Sequence, residues 1–200
     1  MLPQYSLLPR VPTKIAVAGG AGAGKSTLAR RLSEILDLPY VEIDSLYHGP
    51  NWTVRETWVA DVDKFTSGPA WTIEWQGEPT RPLLNARADL LVWLDYPRWF
   101  AMLRVIRRTL RRRFHKRRLW ADNTEGPLRD FLTDPDYIVR YAWRYYPRMR
   151  QHVLKMTLEN ERPDFSMVRI RNKRELEAWL TGPLLAASQG RTAPIGGVGP

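Results

Sequence analysis

A glycine-rich stretch at residues 16–32, AVAGGAGAGKSTLARRL, limits the possible folds of this 200-residue chain more than any other segment. Four residues separate Gly19 from Gly24, and Lys25-Ser26 follow directly, which is the Walker A pattern. The apolar run KIAVAGG precedes the loop, and KSTLARRLSEILD follows it with leucine and isoleucine at helical spacing. The sequence therefore predicts a strand, a phosphate-binding loop and a helix. This full pattern favours a phosphate site over a plain glycine turn.

Each part of the loop has a chemical reason to bind a nucleoside triphosphate. Glycines allow backbone N–H groups to turn inward around phosphates, and a helix N-terminus adds partial positive charge. Lys25 is predicted to reach the β- and γ-phosphates and the Ser26 hydroxyl to ligate Mg²⁺. ATP and Mg²⁺ are the cofactors expected. The predicted nucleotide-binding residues of the loop are Gly19, Gly22, Ala23, Gly24, Lys25, Ser26 and Thr27.

Composition narrows the classes of protein. The chain has no cysteine, which excludes disulfides, thiolate zinc sites and thiol nucleophiles. The N-terminus has no sustained apolar stretch, and the run LLVWL is too short to span a bilayer, so we expect a cytoplasmic protein outside the membrane. The net charge of +10 is concentrated in residues 98–118. It suits nucleic acid, but a clamp on nucleotide phosphates also needs arginines.

Five predicted strands, at 14–20, 39–44, 70–75, 88–97 and 165–171, alternate with helical patterns. This alternation predicts a three-layer α/β fold with a mostly parallel, helix-covered sheet. A helix from about 97 to 113 is expected to bury Phe100, Leu103 and Ile106 or Leu110, and a second, at 135–159, to bury most of its aromatic residues. Residues 1–13 are interpreted as an irregular lead-in, 14–181 as the folded domain and 182–200 as a disordered Gly/Pro-rich tail.

Several segments together resemble a known family. They are GGAGAGKST, VEIDSLYHGPNW, RPLLNARADLLVWLDYP, LRVIRRTLRR and VRIRNKRELEAWL. Over residues 14–181 they resemble the small P-loop kinase-like proteins described as adenylate-kinase-related or DNA topology modulation proteins. The resemblance implies a P-loop NTPase fold like that of nucleoside-monophosphate kinases, with a five-stranded sheet ordered 2-3-1-4-5. It also implies an acceptor segment at 45–68 and an Arg-rich lid at about 104–127.

The function expected on this basis is ATP- and Mg²⁺-dependent transfer of a phosphoryl group to a nucleotide or another small molecule. Asp44 ends the predicted second strand, and the resemblance implies that it orients or deprotonates the acceptor hydroxyl; a turn or helix-cap residue is the alternative. Arg81 matches a family arginine and is expected to bind an acceptor phosphate or carboxylate. Otherwise it is a solvated side chain.

Two aromatic side chains of the acceptor segment allow two interpretations each. Trp52 stacks on an acceptor ring or packs against the predicted 55–67 helix. His48 is an acid in the pocket or a surface side chain.

Two carboxylates compete to hold a magnesium-bound water. Asp95 follows LLVWL and fits by pattern alone, but Asp95-Tyr96-Pro97 also suits a helix N-cap. Glu74 ends the predicted third strand, which the implied order places beside the phosphate loop, so Glu74 is preferred. Relatives tend to carry Asp-Gly-Asn-Tyr where this chain has Glu74-Trp75-Gln76-Gly77. Trp75 is therefore expected to crowd the acceptor pocket.

The basic residues have distinct expected roles. Arg104 and Arg108 are predicted to neutralise charge that develops during phosphoryl transfer. Arg111–Arg118 exceed what one nucleotide needs, and they form either a solvated basic face or a nucleic-acid surface. Arg171 and Lys173 lie near the adenine or simply form a strand-to-helix turn. The second function class left open is a nucleic-acid-binding or regulatory P-loop ATPase without a small acceptor.

Overall fold

The computed structural model of the chain describes residues 1–2, 5–114, 120–123 and 138–191. Side chains are described within these ranges except at positions 113, 114 and 138. The predictions for Lys116, Arg117 and Arg118, for most of the lid beyond 114 and for the tail at 192–200 lie outside the described residues.

Within the described residues the sheet has four strands, β1 (Lys14–Gly19), β2 (Trp71–Glu74), β3 (Leu90–Leu94) and β4 (Ser166–Ile170). All are parallel, in the order β2-β1-β3-β4, with Val17 opposite both Glu74 and Val92. The predicted fold class and the order of these strands are confirmed, but the predicted strand at 39–44 is wrong. It is reduced to one parallel bridge between Tyr40 and Thr72 at the β2 edge. The Ile43 N–H donates to the Glu74 carboxylate (2.9 Å) instead of a ladder partner, and a helix begins there.

Helices cover both faces of the sheet. They are α1 (Lys25–Leu36), α2 (Ile43–Tyr47), α3 (Trp58–Thr66), α4 (Arg81–Arg87), α5 (Arg98–Phe114), α6 (Ile138–Glu159), α7 (Lys173–Trp179) and α8 (Leu185–Ser188). Short 3₁₀ turns lie at Pro50–Trp52 and Trp120–Asp122, and a π-helical turn at Leu180–Leu184. One core cluster joins the sheet to α1, α7 and the π-helical turn, and the other joins it to α3, α4 and α6. No helix in the described ranges is both long enough and apolar enough to cross a membrane.

Both ends of the described chain pack against the domain. Leu8 is buried in the core cluster beside α1, and the Leu2 N–H bonds the Met167 carbonyl (2.7 Å) at the β4 edge. The prediction of a disordered tail is wrong for residues 182–191, because Leu184 and Ala187 are fully buried in the same cluster. Small side chains in this stretch suit a closely packed helical turn as well as they suit disorder.

The expected core face of α5 is wrong beyond Phe100, which packs against the first core cluster as expected. Leu103, Ile106 and Leu110 are 44%, 40% and 37% exposed, whereas Ala101 and Val105 are buried. The reason is a close approach of backbones: a Cβ on Gly22 would lie 2.4 Å from the Ala101 carbonyl oxygen, so small residues must face the loop. The aromatic residues of α6 are less buried than expected. Tyr141 and Trp143 are about half exposed, and the buried positions of α6 are Val139, Ala142, Met149, Val153 and Met156.

Candidate active site

The phosphate loop joins β1 to α1 and is built as its glycines predict. Gly22 and Gly24 have φ angles of 79° and 99°, in the left-handed region that favours glycine. The Ala23 N–H bonds the Gly20 carbonyl (3.0 Å), and Gly24 is the N-cap residue of α1. The loop therefore ends at a helix N-terminus, a position suited to anions.

Helices α5 and α6 lie directly against this loop. The Arg104 guanidinium donates to the Ala23 carbonyl (2.9 Å), and a Cβ on Gly24 would lie 3.1 Å from its Nη atoms. A Cβ on Gly20 would lie 3.0 Å from the Tyr146 ring of α6. Sequence reasoning missed Tyr146, since only the tertiary structure brings α6 to the loop.

Charged side chains converge on Lys25. Burial lowers the pKa of Lys25 below its ordinary value, the nearby carboxylates of Asp44 and Glu74 oppose that shift, and Arg108 adds to it. Its ammonium group lies 3.5 Å from the Gly20 carbonyl. Asp44, Glu74 and Arg108, from α2, β2 and α5, thus lie close enough to Lys25 of α1 to act on its charge. A partly buried cation is stabilised by anions that approach it.

Glu74, at the end of β2, is 1% exposed and has donors on both oxygens. Tyr40 Oη donates to Oε1 (3.0 Å), and the Ile43 N–H donates to Oε2. Burial raises the pKa of Glu74 above its ordinary value, and hydrogen bonds from the Ile43 backbone and the Ser26 hydroxyl partly offset that rise. The Ser26 hydroxyl, the other group predicted to hold magnesium, thus lies near enough to Glu74 to lower its pKa. Thr27 is exposed on the first turn of α1.

Asp44 lies in the first turn of α2, not at a strand end, because the strand predicted before it does not form. The helix-cap alternative is wrong as well, since Glu42 is the N-cap residue. The Asp44 carboxylate accepts a hydrogen bond from the Gln76 side-chain amide, in the loop between β2 and α4. That bond joins Asp44 to the segment that leads to Arg81.

Arg81, in the first turn of α4, is 8% exposed, so the interpretation as a solvated side chain is wrong. Its guanidinium lies over the Trp75 ring (4.8 Å to the centroid) and donates to the Tyr145 hydroxyl of α6. Among the residues that the structure describes, Arg81 forms no ion pair with Asp or Glu, and its buried Nε has no hydrogen-bond partner. Trp75 is itself buried and donates to Asn85 (2.7 Å). Its ring packs against the Arg81 guanidinium.

Asp95, the competing carboxylate, is bound by two arginines. Arg150 donates to both of its oxygens (3.0 and 3.3 Å), and Arg169 donates to Oδ2 (2.9 Å). The interpretation as an N-cap is wrong, because α5 begins at Arg98 and neither carboxylate oxygen bonds its first turn. These partners lie 55 and 74 residues away, where no local pattern indicates them.

The acceptor segment holds an aromatic cluster that includes part of the predicted lid. The His48 ring stacks on Trp120 (5.5 Å) and meets Trp52 edge-on (5.0 Å). Asn123 is buried and bonds the Gly49 carbonyl (2.8 Å) and the Trp52 N–H (3.1 Å). The interpretation of His48 as a surface side chain is wrong, and burial lowers its pKa while Asp44 opposes that shift.

The 171–175 segment is a strand-to-helix turn with reciprocal caps. Asn172 accepts from the Glu175 N–H (2.9 Å), and Glu175 accepts from the Arg171 N–H (2.7 Å). The side chains of Arg171 and Lys173 are exposed, and Lys173 lies 5.8 Å from the Phe100 ring of α5. A place beside the adenine remains a prediction for both. Of the outer arginines, Arg112 lies over Trp120 (5.6 Å).

Two further observations concern other places where a metal ion or ligand could bind. In the described ranges, no group of three or more His, Cys, Asp or Glu side chains is arranged to hold a metal ion by itself. A surface groove of about 600 Å³ lies between the outer side of α4 and residues 156–163, and none of the predicted site residues lines it.

Similarity to characterised proteins is partial. No protein-family model matches the chain. It is 33% identical over 78 residues to a cytidylate kinase of Maridesulfovibrio salexigens, which covers 37% of this chain and 35% of that protein. It is 41% identical over 49 residues to a bifunctional pantoate ligase/cytidylate kinase of Gloeobacter violaceus, covering 24% of this chain and 10% of that protein. The chain thus spans about a third or less of these relatives.

Solved structures give a similarly distant picture. A gluconokinase from Sinorhizobium meliloti is 17% identical, with 90% of this chain and 96% of that chain covered and a TM-score of 0.47. A shikimate kinase from Acinetobacter baumannii is 22% identical, with coverage of 78% and 97% and a TM-score of 0.39. The arrangement of Lys25, Asp44, Glu74 and Arg81 in this chain therefore carries the functional argument that follows.

Proposed function

We propose that this protein transfers the terminal phosphoryl group of ATP to a small anionic acceptor. The observation that carries the proposal is that Lys25, directly after the glycine-rich loop, lies within electrostatic range of the Asp44 and Glu74 carboxylates. A partly buried ammonium beside two carboxylates is matched by a ligand that brings both phosphates and a divalent cation. Partial similarity to cytidylate kinases over the aligned segment supports the same reaction class.

The loop residues fit an ATP-Mg²⁺ complex. Left-handed glycines give the backbone a form that L side chains rarely adopt, and the Ser26 hydroxyl lies near enough to the Glu74 carboxylate to lower its pKa. Lys25 and the loop N–H groups would bind phosphates, Ser26 would bind the cation, and Glu74 would hold one of its waters. Bound ATP-Mg²⁺ supplies the transferable phosphoryl group and the divalent charge. Arg104 and Arg108 lie where they would neutralise developing negative charge, and Arg171 and Lys173 would border the base.

The acceptor would lie between Asp44 and Arg81. Arg81 is buried, has an Nε without a partner and forms no ion pair within the described part of the chain, so a ligand with a phosphate or carboxylate would complete its hydrogen bonds. Asp44 would orient or deprotonate the attacking oxygen. Trp52, 40% exposed at the rim of the same segment, would cover the acceptor.

The test is a coupled ATP-consumption assay against a panel of acceptors. Cytidine monophosphate comes first because of the partial cytidylate kinase similarity, followed by the other nucleoside monophosphates and by hydroxy acids such as gluconate and shikimate. We expect turnover that needs both Mg²⁺ and one acceptor. Lys25→Ala should abolish it and weaken ATP binding, and unchanged affinity and rate in this variant would refute the proposed loop function.

The same assay distinguishes the proposed kinase from the alternative, a nucleic-acid-binding or regulatory P-loop ATPase without a small acceptor. ATP hydrolysis that is indifferent to every acceptor but stimulated by DNA would favour that class. The structure offers no specific support for it, because much of the Arg111–Arg118 segment lies outside the described residues and Arg112 already lies against Trp120.

A further inference from the structure

Helix α6 contacts both halves of the candidate site. The Tyr146 ring lies against Gly20 of the phosphate loop, and the neighbouring Tyr145 accepts a hydrogen bond from Arg81. The two tyrosines are adjacent in sequence, so any shift of α6 along or about its axis would move both contacts. The placement of α6 therefore decides how Arg81 is oriented.

The Arg81 guanidinium is fixed by contacts of two kinds. Arg81 Cζ lies over the Trp75 ring, and a contact with a ring face does not by itself fix the directions of the amino groups. The hydrogen bond to Tyr145 removes that freedom, because it fixes the direction of one amino group. Nε then remains as a buried donor without a partner. A guanidinium held in this way is preorganised to bind an anion bidentately.

Two contacts hold α6 over the ends of β3 and β4. Arg150, one helical turn after Tyr146, binds both oxygens of Asp95, and Arg169 of β4 binds the same carboxylate. The Tyr146 hydroxyl donates to the Tyr96 carbonyl, next to Asp95 in the chain. The Asp95 side chain is 5% exposed, so little water competes for these bonds.

We infer that Tyr145 is a positioning residue for acceptor binding, and that Asp95 and Arg150 act through it by fixing α6. This inference rests on the proposed function, because it concerns the arginine assigned there to the acceptor. Sequence pattern alone would assign Asp95 to magnesium. In this arrangement Asp95 instead orients the acceptor-binding arginine and contacts neither nucleotide nor acceptor.

The first measurement does not depend on activity. In ¹⁵N-labelled protein without ligands, the Arg81 Nε–H signal is assigned by its loss in Arg81→Lys. We expect the signal to shift or broaden in Tyr145→Phe and in Arg150→Gln. It should stay in place in Arg148→Gln, which removes an exposed arginine from the same helix. An unmoved Arg81 signal in both Tyr145→Phe and Arg150→Gln overturns the inference, even if the protein transfers no phosphate.

The second measurement uses the acceptor that the panel identifies, with cytidine monophosphate as the first probe. Tyr145→Phe should raise the acceptor KM roughly tenfold, the loss of one hydrogen bond to a charged group, with the KM for ATP unchanged. Arg150→Gln should raise the same KM in the same direction. Equal rises in both KM values, or none, would mean that α6 has only a structural role. Absence of turnover with every acceptor would instead refute the proposed function.

Discussion

A buried carboxylate lies at the end of β2 and another at the end of β3, and the two are stabilised by different kinds of hydrogen-bond donor. Glu74 accepts from a tyrosine hydroxyl and a backbone N–H, both neutral donors, and the neutral hydroxyl of the loop serine lies near enough to lower its pKa. Asp95 accepts from two guanidinium groups. A carboxylate with neutral donors keeps its charge available to a cation, whereas one paired with two arginines does not. A position at a strand end therefore does not identify the carboxylate of a metal site. The charge of the groups that hydrogen-bond to the carboxylate does.

The largest effect should come from removing the first carboxylate's charge. Glu74→Gln should lower kcat about 100-fold, in the range found when a group supporting a metal ligand is removed. Its thermal stability at neutral pH should change little, because the amide removes a buried charge but its nitrogen cannot accept, which leaves one of the two donors at this position unpaired. Steady-state kinetics at saturating Mg²⁺ measure this, with Glu78→Gln, an exposed change in the same loop, as the control. A larger loss of kcat in Asp95→Asn than in Glu74→Gln would reverse our assignment.

Apart from its inferred effect on acceptor binding through α6, the second carboxylate should matter mainly for stability. Asp95→Asn should lower the free energy of unfolding by about 2 kcal/mol, less than for a fully buried pair because Arg150 is 45% exposed. Urea denaturation measures it, and Glu161→Gln, an exposed carboxylate-to-amide change, is the control. A loss below about 0.5 kcal/mol would show that the two arginines are not held by this carboxylate.

The pH dependence of stability should also separate the two sites. Burial raises the pKa of Glu74 above its ordinary value of 4.5, so the folded protein binds a proton more tightly than the unfolded chain. Between 4.5 and the folded pKa, the wild type must therefore lose stability relative to Glu74→Gln as the pH rises. Unfolding free energies of both proteins, measured from about pH 4 to about pH 8, test the sign. A wild type that gains on the variant over this window would contradict the assigned environment.

The smallest effect concerns one neutral donor of Glu74. Tyr40→Phe removes the hydroxyl that lies 3.0 Å from Oε1 and should cost about 1 kcal/mol of stability. Chemical denaturation measures the loss, and kcat should stay within about threefold of the wild type. A fall in kcat as large as that of Glu74→Gln would mean that Tyr40 belongs to the reacting groups and does more than support the carboxylate.

Much of the part of the candidate site that would bind the nucleotide, Gly19 to Thr27, could be predicted from sequence. The glycine spacing, the preceding apolar strand and the following helix are local signals, and Lys25 and Ser26 lie in the first turn of that helix, while their phosphate and magnesium roles stay predictions. The preference for Glu74 over Asp95 came from an implied strand order that the sheet confirms, although its magnesium role stays a prediction. The acceptor half was harder: Asp44 was expected at a strand end, and it lies in a helix because the Glu74 side chain takes the Ile43 N–H.

The phosphate loop, the parallel α/β architecture and the residue types of the site could be predicted from sequence, because each depends on residues that are close together in the chain. The buried face of α5, the burial of Leu184 in the core and the cations that Asp95 binds could be seen only in the tertiary structure. It also decided the partner of Arg81, since Tyr145 lies 64 residues away. Such pairings depend on where helices dock on the sheet. That docking follows from side-chain shape and close backbone approach across the whole core, which no local periodicity records.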